Sequence, residues 1–297
     1  MPHLFRAPAL YLLFTSFPLM AQPDPTVIRL VTVPVPVTSG LLNTLLPDFQ
    51  RDTGYRVQVL VKTQDVYEFA RTGAADLVIS HCGFEGLDTF VLGGLGMWPK
   101  PVFASQSVIV GPRADPANIR GVPDAFEAFR RIAATMSPFI ANSDPNVKYA
   151  TDVFWEGAGR PDRTGWYSDT GLEGNQAVES AARLGGYMMW GVDPFLQYQQ
   201  NHNLPLEILV FADPFLQRIM AATVVTTKVT PDANVNGAIA LRDYLVSPAV
   251  QARVRAFRYP GVDTQFWWPT GQNNDAAPCR GDSPACTGEG QPIRAVR

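Results

Sequence analysis

The chain has 297 residues, 46% of them hydrophobic and 17% charged, with a formal net charge of −3. That much apolar material with so little net charge excludes a disordered chain. Lys+Arg number 24 against 27 Asp+Glu, without a basic run, which excludes a charge-driven nucleic-acid binder. The length suits one large domain or two lobes of about 100–150 residues each.

Residues 1–21 read as a signal peptide: Arg6 is the positive flank, Leu10 to Phe14 the apolar core and Leu19-Met20-Ala21 the cleavage site. The apolar core is too short, and too interrupted by Pro8 and Pro18, to span a membrane. No cysteine follows it, so no lipid anchor is indicated. The expectation is a soluble, exported, periplasmic chain.

Helix and strand patterns then alternate. Val27–Val33 is a β-branched run and predicts a strand. Leu41, Leu42, Leu45, Leu46 and Phe49 have helical spacing, with Ser39 as N-cap and Gly54 as the stop. Tyr55–Val61 predicts a strand, Thr63–Ala70 a helix ended by Gly73, Ala75–Ser80 a strand, and Phe84–Leu92 a short helix closed by Gly93-Gly94. Val108–Val110 is a further strand. Pro123–Ala134, Asn146–Glu156 and Gly174–Leu184 predict helices, and Phe139–Ala141, Gly186–Met189, Leu206–Phe211 and Met220–Thr227 predict strands. Val235–Leu245 and Pro248–Phe257 close the periodic region as two helices, the second capped by Ser247. Strand–helix–strand units in series imply an α/β fold with a mostly parallel or mixed sheet. Residues 259–297 read as an irregular tail, in which Trp267-Trp268 is expected to dock onto the body.

Three cysteines remain after residue 21. Cys279 and Cys286 bracket a short loop and are expected to pair in an oxidising compartment, while Cys82 is expected to pack as a small apolar side chain. The loop contains Arg280-Gly281-Asp282-Ser283, which resembles an integrin-recognition peptide, a four-residue match of little weight. The histidines after residue 21 are His81 and His202, so no metal constellation and no Cys–His pair assembles. There is no G-x-S-x-G, no P-loop and no G-x-G-x-x-G after a strand; Gly93-Gly94-Leu95-Gly96 follows a helix and reads as a turn. The expectation is a non-enzyme without metal or cofactor.

An ordered series of segments resembles the extracytoplasmic tungstate-binding proteins of ABC transporters. It runs through Ser39-Gly40-Leu41-Leu42, Gly73-Ala74-Ala75-Asp76-Leu77-Val78-Ile79-Ser80-His81, Val108-Ile109-Val110-Gly111-Pro112, Gly165-Trp166-Tyr167 and Leu206-Glu207-Ile208-Leu209-Val210. The resemblance covers roughly residues 27–257. It implies a two-lobed binding-protein fold with two crossover strands: lobe 1 from 26–111 plus 215–258, lobe 2 from 112–214, closing on a ligand like a hinge. It also implies a monomer serving an ABC permease.

Helix N-termini favour anions, so Thr38, Ser39 and Thr63, with Ser80, Ser143 and Lys148, are the candidate ligand residues. Several family positions have changed. The Thr/Ser-rich first loop of the family is here Val33-Pro34-Val35-Pro36-Val37. An Arg of the second-lobe loop is here Asn142, and a second Arg is lost in Trp190-Gly191-Val192-Asp193. Glu173 brings a negative charge into a Gly-rich loop; Lys148, Tyr149, Trp190 and Arg218 are new polar or aromatic groups. His81 faces either the cleft or the core. A compact dianion needs many donors, so the expectation is a diverged site for another solute, with Glu173 and Trp190 changing specificity. One alternative is retained oxyanion binding through hydroxyls and backbone N–H groups. Another is a sensor or protein-interaction module without transport.

Overall fold

A computed structural model describes residues 24–211, 213–259, 265 and 267–270. Residues 1–21, expected to be a signal peptide, the Arg-Gly-Asp-Ser stretch, and Cys279 and Cys286, expected to pair, lie outside the described residues.

Strand β1 (Val27–Thr32) leads into α1 (Val35–Thr38) and α2 (Leu41–Thr53). Proline is tolerated in a first helical turn, so Pro34 and Pro36 fold the first loop into a single turn. Ser39 closes that turn instead of capping α2. Gly40, at φ 84°, takes the N-cap position that a side chain would strain, and the bond Ser39 Oγ accepts from Leu41 N–H is long, at 3.4 Å. The five apolar residues picked out by their spacing are the buried face of α2, and Gly54, at φ 75°, ends it.

The chain continues through β2 (Arg56–Val61), α3 (Val66–Arg71), β3 (Leu77–His81) and α4 (Leu87–Leu92) to the 13-residue β4 (Lys100–Pro112). Then come α5 (Ala125–Ala134), β5 (Phe139–Ile140), α6 (Pro145–Gly157), β6 (Tyr167–Ser168) and α7 (Gly174–Leu184). Next are β7 (Met188–Gly191), α8 (Val192–His202), β8 (Leu206–Val210), a 3-10 turn at Pro214–Leu216 and β9 (Gln217–Val224). The last elements are α9 (Val235–Leu245), α10 (Pro248–Ala256) and β10 (Trp268–Pro269).

The sheet is mixed. β1 lies parallel between β2 and β3, β9 runs antiparallel to both β3 and β4, and β10 adds to β4. β4 changes partners along its length. Its first half pairs with β9 as far as Gln106↔Gln217; from Ser107↔Gly191 onward it pairs with β7 and then β8. Residues Val102 to Val110 of β4 are buried throughout, so there is no polar alternation to mark the strand, and only Val108–Val110 stands out in the sequence. Helix α8 escapes sequence reading for a related reason: Pro194 sits in its first turn, and Gln199-Gln200-Asn201-His202 break its apolar stripe.

Two junctions fasten the sheet carrying β1–β3. Asp76, 1% exposed, accepts from the Arg29 guanidinium at 2.6 and 2.9 Å, from Arg29 N–H and from Asn234 N–H at the start of α9. Trp267 is fully buried, edge-on to Phe103 at 5.1 Å, and its indole N–H donates to Ser39 Oγ at 3.2 Å. It docks onto the body as its aromatic character suggested. Cys82 does not: it is exposed, because β3 ends at His81 and the chain turns out through Gly83.

Candidate functional site

The carboxyl ends of parallel strands are where ligands gather in α/β sheets, since loops and helix N-termini converge there. Just beyond β1 lie Val33-Pro34-Val35 and just beyond β2 lies Thr63; with His81 at the end of β3, all of these line one cleft. The starts of α6 (Asp144, Asn146) and α8 (Gly191, Val192, Asp193) also line it. The floor is the partner-switch point of β4, at Ser105 and Gln106, with Arg218 of β9 paired in register with Ser105. The inner pocket is about 170 Å³ and opens into an outer cavity of about 820 Å³ that shares Thr63, His81, Asp144 and Arg218.

Arg218 is the centre of this arrangement. Among the described residues its guanidinium makes neither an ion pair nor a hydrogen bond. Burial presses its pKa down, and the nearby Asp144 carboxylate only partly opposes that. Asp144 itself caps α6, accepting from Asn146 and Val147 N–H at 3.0 and 3.3 Å. Burial, and secondarily the Arg218 charge, hold the His81 imidazole well below its ordinary pKa, so it stands neutral beside the arginine with Nδ1 unpartnered. Gln106 and Asp193, 3% and 1% exposed, each keep one buried oxygen without a partner among the described residues. Burial raises the Asp193 pKa, while its bonds from Thr38 (2.7 Å) and Gln197 (3.0 Å) act the other way. Helix α8 has no side-chain cap, and Pro194 offers no N–H, so Val192 and Asp193 carry its unpaired first-turn amides.

Of the residues expected from the sequence, Thr63 and Trp190 line this cleft. Trp190 is 7% exposed, with Tyr198 edge-on at 6.5 Å. Thr38 acts at one remove, holding Asp193. Ser39 and Ser80 are buried; Ser80 shares a 2.9 Å bond with the Tyr67 hydroxyl, which also bonds Thr223. Ser143 bonds Asp169, and Lys148 is paired with Asp169 and, more distantly, Asp152, so its charge is already answered. Glu173 is exposed at the N-cap position of α7 and makes no capping bond. Asn142 holds its loop to α7 by accepting from Asp144 and Gly174 N–H.

Arg218, Gln106, Asp193 and Asp144 were not picked as ligand residues. The signal for Arg218 was present, a lone arginine opening an apolar strand just after Asp213-Pro214, but its position depends on the strand order. Among the described residues no group of three or more His, Cys, Asp or Glu could hold a metal ion, and no helix is long and apolar enough to cross a membrane.

No protein-family model matches the chain. It is 28% identical over 248 residues to a Haloferax volcanii protein whose name provisionally makes it an ABC transporter anion-binding protein, covering 82% of this chain and 71% of that one. It is 26% identical over 220 residues to the tungstate-binding protein TupA of Peptoclostridium acidaminophilum, covering 73% of this chain and 76% of that one. The solved tungstate-binding protein TupA from Desulfovibrio alaskensis G20 superposes with a TM-score of 0.73 at 26% identity, over 82% of this chain and 98% of that one. The chain shares the helix-flanked mixed sheet of that binding-protein-like fold.

Proposed function

From its kinship with the ABC-transporter anion- and tungstate-binding proteins, we propose that this chain is an exported, non-catalytic solute-binding protein that captures a small anionic solute and delivers it to a membrane permease. The observation that carries this reading is Arg218: a guanidinium without an ion-pair or hydrogen-bond partner among the described residues, held where β4 changes partners. Leaving such a charge partly desolvated is unfavourable, and a ligand bringing a negative group relieves it while also meeting the α8 amides.

We read residues 26–111 together with 215–258 as one lobe, and 112–214 as the other. β4 and the 3-10 turn into β9 would then be the two crossovers about which they close. The site departs from that of an oxyanion receptor with two arginines: one arginine, a neutral histidine, Trp190 and the carboxylates of Asp144 and Asp193 surround the inner pocket. That balance fits a solute other than tungstate.

Thermal shift of the exported chain against a panel of oxyanions and small organic acids tests the reading. A true ligand at 100 times its dissociation constant adds about 2.7 kcal/mol of stability. A panel in which no anion stabilises the protein defeats it.

A further inference from the structure

The inner pocket offers more than donors. Asp193 Oδ2 is occupied by Thr38 and Gln197, but Oδ1 is buried and empty-handed, as is Gln106 Oε1. Buried polar atoms in native structures almost always have a partner. An ionised carboxylate can only accept. Arg218 and the α8 amides can only donate, so the lining is two-sided: donors on β9 and α8, orphaned acceptors on β4 and α8.

We propose that the occupant of the inner pocket is a small anion that carries its own O–H or N–H donor, and that Asp193, with Gln106, selects against oxyanions that have none. This rests on the reading of the cleft as an anion site. A fully deprotonated dianion would turn an oxygen toward the Asp193 carboxylate and be repelled. A proton-bearing anion converts that contact into a charge-assisted hydrogen bond while still giving its negative oxygens to Arg218. Sites built to accept from a ligand hydroxyl reject analogues lacking it far more strongly than apolar pockets reject a missing methylene. The same chemistry is presented by hydrogen phosphate and by a hydroxycarboxylate.

The exported chain is titrated calorimetrically near neutral pH with inorganic phosphate and glycolate, which carry an O–H, and with sulfate, molybdate and tungstate, which do not. The expected result is that phosphate or glycolate binds at least about tenfold more tightly than any of the other three. Which of the two is tighter separates an inorganic from an organic source. Asp193→Asn keeps an acceptor oxygen for Thr38 and Gln197, and is expected to narrow the discrimination by about tenfold. Competition between phosphate and molybdate on the unaltered protein makes the same test should that variant fold poorly. Molybdate or tungstate binding as tightly as phosphate or glycolate overturns the proposal and leaves the anion site standing. Heat from none of the five overturns both.

Discussion

Replacing Arg218 by methionine should make the ligand-free protein more stable, the reverse of the usual sign for a change in a cleft floor. The arginine has no ion pair or hydrogen bond among the described residues, and burial already presses its pKa downward against the partial support of Asp144. Full burial of an unpaired charge costs several kcal/mol. Arg218 is only half-buried, so solvent in the cleft screens most of that, leaving about 1 kcal/mol. Methionine keeps the stem that packs against β4 and removes the charge. For a chain of this size, about 1 kcal/mol raises Tm by about 2–4 °C. Differential scanning calorimetry of the ligand-free proteins reads the shift, and the same variant should lose the stabilisation that anions give the unaltered protein. A variant less stable than its parent, or one still stabilised by anions, would refute the view that Arg218 is strained for the sake of a ligand.

Three further outcomes follow from the packing. Asp76→Ala strands the Arg29 guanidinium and two backbone N–H groups at the β1–β3–α9 junction and should cost about 3–5 kcal/mol in urea unfolding; a loss below about 1 kcal/mol would show the junction to be replaceable. Trp267→Ala empties a fully buried site against Phe103 and should cost about 3–5 kcal/mol, measurable as a lowered urea midpoint; an unchanged midpoint would mean that this segment adds nothing to the body. The folded protein resists protonating His81, whereas the unfolded chain accepts that proton near the ordinary value of 6.5. The unfolded state therefore binds more protons, and stability falls as pH drops through that value, by up to about 1.4 kcal/mol per pH unit from this one group. His81→Gln should flatten the slope measured between about pH 7.5 and 5; an unaltered slope would assign it elsewhere.

The elements that the sequence announces are those with a one-sided pattern. The buried face of α2 and its stop at Gly54 follow from periodicity and from the left-handed backbone that glycine tolerates. Strand β1 follows from its β-branched run. What stays hidden is what depends on context. From Val102 to Val110, β4 is buried on both faces and has no alternation. Helix α8 carries a proline in its first turn and amide side chains in its last.

The site divides in the same way. Thr63 and Trp190 are legible because loops before helices and aromatic residues at strand ends attract attention, and both line the cleft. Lys148 and Ser143 look equally good in the sequence, yet Asp169, more than 20 residues further along the chain, folds back to take both. Arg218 matters because β9 lies beside the point where β4 changes partners, a fact of strand order that local sequence does not carry.

An anion held at Arg218, beside the point where β4 changes partners, is read by calorimetric titration of the protein and its Arg218→Met variant with the same anions. Saturable binding of an anion at one site per chain, lost in the variant, is the expected result. No saturable binding by any anion, or binding of equal affinity when Arg218 is absent, would contradict it.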